Sequence, residues 1–137
     1  MIHGIGTDLL DAIRIRDGLA RFGDLYAHRI LAPAEFAGYE ASHDPARFLA
    51  KSFAAKEAFS KATGTGLRTP VTLRNIAVLR DAQGKPHFEC APELDAWLAA
   101  RGITAHHVSL SDEGDLVLAF VVLEQSGSLN QNSLEAA

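Results

Sequence analysis

The chain has 137 residues, 47% hydrophobic and 22% charged, with one Cys and a formal net charge of −4. A chain of this length buries one core without disulfides, and a lone Cys90 excludes both an intramolecular disulfide and any Cys-based zinc site. The charge is uneven: residues 1–80 carry 11 Lys and Arg against 8 Asp and Glu, +3, while 81–137 carry 2 against 9, −7; this disfavours general nucleic-acid binding, and on charge alone it reads as uneven solvated surface, with a phosphate-rich molecule or an acidic protein at the first half as the alternative.

Ile2 to Thr7 reads as a strand whose Gly4 and Gly6 mark close backbone approach, with Asp8 at its end. This start has no basic or long apolar leader, and no apolar run is long enough to cross a membrane; with the single Cys, the expected address is the cytoplasm. Residues 11–22 alternate Ile13, Leu19 and Ala20 with Arg14, Arg16 and Arg21, a helix that Gly23 ends, and Pro33 opens a second. Asp44-Pro45 then supplies an N-cap and first turn for a long helix over 45–63, free of Gly and β-branched residues until Thr63-Gly64 stops it. Residues 71–80 and 85–90 form two strands around Asp81-Ala-Gln-Gly84, 92–100 a helix, and 106–111 and 116–123 a closing hairpin. From Gln125 the Ser- and Asn-containing tail is expected to be disordered, leaving one domain over 1–124. Hairpin spacing, not βαβ spacing, gives an α+β fold with a mainly antiparallel sheet packed against a long central helix.

Walker A, Gly-x-Gly-x-x-Gly, His-Glu-x-x-His and Gly-x-Ser-x-Gly patterns are all absent. On the long helix, Glu57 and Lys61 project together, a spacing that an ordinary surface ion pair also produces. Ala50 and Phe53 lie on the same side, so this face is partly buried and its charges need a partner or ligand. A helix carboxylate with a second at a strand end suits Mg²⁺, and Asp8 is the second candidate. Strand alternation sets His107, Ser109 and Ser111 in one polar row, which fits a solvated face or a ligand-lining one.

Gly4-Ile-Gly-Thr-Asp8, the run Arg47-Phe-Leu-Ala-Lys-Ser-Phe-Ala-Ala-Lys-Glu-Ala-Phe-Ser-Lys-Ala62 followed by Gly64-Thr-Gly66, and His107-Val-Ser-Leu-Ser111 closely resemble the bacterial holo-acyl-carrier-protein synthases, the short type of 4′-phosphopantetheinyl transferase, over nearly all of 1–124. The resemblance implies that fold, and transfer of 4′-phosphopantetheine from coenzyme A to a serine of an apo acyl carrier protein, with release of adenosine 3′,5′-bisphosphate. It implies Asp8 and Glu57 as Mg²⁺ ligands and Lys61 as a contact to the diphosphate; Glu57 and a water on the metal are both candidates for activating the serine. Arg47, Lys51 and Lys56 are implied for the nucleotide's 3′-phosphate and His107 with Ser109 for its pocket, while Arg14 and Arg21 would dock an acidic carrier helix. A homotrimer with sites shared between subunits is also implied. A nucleotide- or carrier-binding module without catalysis and a Mg²⁺-dependent nucleotide hydrolase are the alternatives. Ser52 stands where many relatives carry Arg, and Asp112-Glu113 where some carry His-Asp.

Overall fold

The elements run β1 (Ile2–Asp11), α1 (Ala12–Phe22), α2 (Asp24–Ile30), a 3-10 turn at Pro33–Glu35, α3 (Phe36–Ala41), α4 (Pro45–Thr63), a 3-10 turn at Leu73–Asn75, β2 (Ile76–Arg80), β3 (Pro86–Cys90), α5 (Pro92–Ala100), β4 (Ile103–Glu113) and β5 (Leu116–Gln125) in the computed structural model, which describes residues 1–127. β1, β5 and β4 form an antiparallel sheet in that order, and β2 pairs with β3 in a second, two-stranded one. The expected α+β class and antiparallel pairing are therefore present.

α4 is the central element because its ends and its faces are both specified. Asp44 accepts the Arg47 amide at 3.2 Å, Pro45 occupies the first turn, and Gly64 closes the helix at φ 83°. In between, the helix is buried on almost every side, Leu49, Ala50, Ala54, Ala55, Ala58 and Phe59 being fully covered. β1 lies across it at the closest approach a backbone permits: a Cβ on Gly4 would run into Ala62 O, and one on Gly6 into Ala58 O. The two strand glycines thus bring β1 against α4, as their positions predicted.

Strand parity gives the three-stranded sheet two faces. Inward, Leu10, Val108, Val117, Ala119, Val121 and Leu123 join the core, with His106 set between Phe59 and Phe88. Burial holds the His106 imidazole below its ordinary range in this aromatic cluster, opposed by a backbone hydrogen bond and Asp95 and helped by His107 and His87. Outward, Ile5, Leu9, Leu116, Leu118 and Phe120 remain between 40% and 65% exposed.

Several expectations needed correction. The helix expected from Pro33 is a 3-10 turn followed by the short α3, and the strand expected from Val71 begins at Ile76, after a bridge between Arg68 and Val71 and a second 3-10 turn. α2 had no counterpart in the sequence reading. β5 extends through Gln125, whose amide donates to Met1 O, and Ser126 donates to Gly102 O, so the first residues of the expected tail belong to the fold; the rest of that tail, 128–137, lies outside the described residues.

Candidate active site

Asp8, Glu57 and Lys61 meet where β1 crosses α4. Asp8 shares its face with Gly4, Gly6 and Leu10 and pairs across the sheet with the buried Ala119, so its side chain comes off the strand face that packs on α4. Lys61, one turn beyond Glu57, donates to Thr7 O at 2.9 Å and to Asp8 Oδ1 at 3.2 Å. Two of its three N–H donors are thereby used, and with a side chain 53% exposed the third faces solvent and any ligand there. Burial pushes the Glu57 carboxyl above the usual carboxylate range; the charge of Asp8 adds to the rise and Lys61 reduces it. Two carboxylates that repel each other at a half-open position are the donor set of a hard divalent cation, which takes one or two carboxylates and leaves its other positions for water and phosphate.

The other expected site residues are not brought there. Lys56 is fully buried, paired with Glu35 and donating to Ile30 O at 2.6 Å, so its assignment to the nucleotide's 3′-phosphate is corrected: a lysine with no exposed surface, held between two internal acceptors, does not reach a ligand. Ser52 is equally internal, its hydroxyl donating to Glu35 Oε2 at 2.5 Å. Sequence reading missed this cluster; the signal it offered is that Ser52, Lys56 and Ser60 stack at helical spacing on a helix otherwise rich in Ala.

Arg47 and Lys51 sit near the opposite end of α4, about 15 Å and 9 Å along the axis from Glu57. They clasp Asp112 at 2.7 Å and 3.4 Å, and Arg47 also donates to Gly114 O at 2.8 Å. Asp112 is pushed up by partial burial, but Lys51 and Arg47 outweigh that and hold it below the usual range. His107 and Ser109 lie on the outward face, opposite Val122 and Phe120, with His107 Nε2 3.2 Å from Glu124. Within one chain the sheet itself therefore stands between them and Asp8. Arg14 and Arg21 are exposed on α1, two turns apart and so on one face, with exposed Ile13, Phe22 and Leu25 nearby.

Residues 4–121 match the 4′-phosphopantetheinyl transferase superfamily. The chain is 77% identical over 128 residues to the holo-[acyl-carrier-protein] synthase of Thiobacillus denitrificans, covering 93% of this chain and 98% of that one. The chain belongs to the 4′-phosphopantetheinyl transferase superfamily, among its holo-[acyl-carrier-protein] synthases. The crystal structure of the synthase from Neisseria meningitidis superposes with a TM-score of 0.89 at 50% identity, over 91% of this chain and 100% of that one. That of Bacillus anthracis in complex with CoA (3′,5′-ADP) superposes with 0.76 at 35% identity, over 92% and 99%. The transferase fold expected from the sequence is thus the fold observed, and the chain is an enzyme of this family.

Proposed function

We propose that the chain catalyses the Mg²⁺-dependent transfer of 4′-phosphopantetheine from coenzyme A to a serine hydroxyl of an apo acyl carrier protein, for fatty acid biosynthesis in the cytoplasm. The observation that carries this reading is the Asp8–Glu57–Lys61 cluster, two mutually repelling carboxylates with an anchored lysine beside them. Asp8 and Glu57 would hold the ion, and Mg²⁺ bound there supplies neutralisation of the coenzyme A diphosphate. Lys61 presents its remaining N–H to a diphosphate oxygen, where it offsets the charge that builds on the leaving group. The serine oxygen bonds to the phosphorus carrying pantetheine, the bridging P–O bond breaks, and adenosine 3′,5′-bisphosphate leaves with the bond's electrons. Glu57 is the carboxylate this chain offers beside the reacting serine to take its proton, with a water at the cation site as the other candidate.

Mass spectrometry of an apo carrier incubated with the protein, coenzyme A and Mg²⁺ tests the reading, with a phosphopantetheine adduct on serine as the expected product. Release of nucleotide to water without an adduct makes the protein a hydrolase; binding without turnover makes it a non-catalytic module.

The site is shared between copies in a homotrimer, on this proposal. Two features support it: His107 and Ser109 are on the sheet face turned away from their own chain's Asp8, and that same face exposes Ile5, Leu9, Leu116, Leu118 and Phe120. Arg47 and Lys51, distant from their own Glu57, would likewise serve a site only alongside another copy. Complementation reads this directly. Glu57→Gln and His107→Ala are each expected to be weakly active alone, and subunit exchange between them to restore activity. Exchange without recovery, or an active monomer by light scattering, refutes the shared site.

The acidic carrier would dock on α1. Reversing either Arg14 or Arg21 to Glu is expected to raise KM for the carrier roughly fivefold while leaving KM for coenzyme A unchanged, since rim charges act on encounter and orientation. Steady-state kinetics with each substrate varied in turn gives both values, and equal effects on the two would remove α1 from docking.

A further inference from the structure

Lys56, the residue next to Glu57, takes part in the most completely buried polar cluster among the described residues. Its ammonium donates to Ile30 O, at the C-terminal end of α2, and to Glu35 Oε1; that oxygen also accepts from Ala32 N at 2.9 Å, and Glu35 Oε2 accepts from Ser52. No buried side-chain polar atom among the described residues is left without a partner. Burial lowers the affinity of Lys56 for its proton and Glu35 opposes that change. Stability alone does not account for such a cluster, because removing two charges from water costs several kcal/mol per ion and apolar side chains of the same volume are often as stable or more so.

What apolar packing supplies poorly on α4 is register. The fully buried positions of α4 include Ala46, Ala50, Ala54, Ala55, Ala58 and Ala62, with Leu49 and Phe59 the only large apolar side chains among them and Phe48 and Phe53 packing from its partly buried flanks. A smooth alanine surface against the glycines of β1 fixes separation, yet it offers few knobs against rotation about the helix axis or sliding along it. Directional hydrogen bonds resist both motions. At a helix outer radius of about 6 Å, a rotation of about 10° moves a side-chain head by roughly 1 Å, several times the tolerance of about 0.2 Å for a metal ligand.

We propose that the buried Lys56–Glu35–Ser52 network is a positioning device that fixes the rotation and register of α4 so that Glu57 faces Asp8, and that it ties this register to the end of α2. The proposal rests on the reading of Asp8 and Glu57 as the cation site. Lys56, Glu35 and Ser52 touch no substrate; they act through Glu57.

The test is the double variant Glu35→Gln/Lys56→Met, neutral and close in shape, with Glu57→Gln in parallel. The double variant is expected to fold, to keep KM for the carrier within about twofold, and to lose about ten- to hundredfold in Mn²⁺ affinity with coenzyme A present, read by electron paramagnetic resonance, with a similar fall in kcat. A folded double variant that keeps wild-type Mn²⁺ affinity overturns the proposal. If it does not fold, Ser52→Ala decides: at unchanged thermal midpoint, a twofold or greater loss of Mn²⁺ affinity supports positioning and an unchanged affinity overturns it. Glu57→Gln separates the two readings. Wild-type Mn²⁺ affinity in Glu57→Gln removes the cation site itself, whereas loss there with retention in the double variant leaves the site standing and removes only the positioning role.

Discussion

Glu57→Gln is expected to lower kcat for phosphopantetheine transfer roughly a hundred- to ten-thousandfold while leaving the fold intact. A metal ion on a phosphoryl oxygen contributes several kcal/mol to transition-state stabilisation, and about 1.4 kcal/mol corresponds to tenfold in rate. The folded state loses nothing comparable. Glu57 is a partly buried carboxylate whose ionisation is opposed first by desolvation and then by Asp8, so a neutral isostere relieves repulsion, and Lys61 keeps its bonds to Asp8 and Thr7 O. The thermal midpoint should stay level or rise. Asp8→Asn should give the same kinetic loss with a small drop in stability, because Lys61 then keeps only Thr7 O as a strong acceptor and the ion pair removed is a partly exposed one. Adduct formation followed by mass spectrometry across a Mg²⁺ titration, with a calorimetric midpoint for each variant, checks both. Near-normal turnover at saturating Mg²⁺ would take the affected carboxylate out of the cation site.

The sequence made α4 and the Asp8–Glu57–Lys61 cluster legible for different reasons. α4 carries its own boundaries in Asp44, Pro45 and Gly64, and a run from Ala46 to Ala62 without Gly, Pro or a β-branched residue leaves little for tertiary context to decide. The cluster was legible through the spacing of Glu57 and Lys61 and through Gly4 and Gly6, whose lack of side chains pointed to a backbone crossing next to Asp8. α2 was not legible, since seven residues form two turns that are marginal alone and persist only because Ala27 and Ile30 enter the core. The role of Lys56 was hidden for a sharper reason. Its sequence neighbours make it look like any helix lysine, and its partner Glu35 lies 21 residues away on a 3-10 turn that reads as the start of a longer helix. Likewise, alternation placed His107 and Ser109 together, but only the register of β1 against β5 and β4 reveals that Asp8 is on the other face.

Gly6→Ala is the second substitution with a large expected effect, and it acts on stability and activity together. The added Cβ would overlap Ala58 O and lie 2.9 Å from Ala62 N, both backbone atoms in the C-terminal part of α4, so no flexible side chain can yield. Relief requires β1 to move off the helix. Alanine in a strand is favoured over glycine by roughly 0.5–1 kcal/mol, whereas overpacking a tight contact costs typically about 1–3 kcal/mol and more where the backbone must shift, so the net change is a loss of about 2 kcal/mol or more. Urea denaturation should show a lower midpoint at unchanged slope. The displacement also falls on the site: Asp8 is two residues along the same face of β1, and Glu57 precedes Ala58, so moving the strand widens the gap between the two carboxylates. Activity per folded molecule should therefore drop at least tenfold, with a higher Mg²⁺ requirement. Gly84→Ala provides the contrast. Gly84 has φ 83° and nothing within 4 Å of an added Cβ, so alanine there costs about 1–2 kcal/mol of left-handed backbone strain and leaves kcat and the Mg²⁺ requirement unchanged. If Gly6→Ala keeps wild-type Mg²⁺ dependence, or Gly84→Ala loses it, the close crossing of β1 over α4 is not what sets the spacing of Asp8 and Glu57.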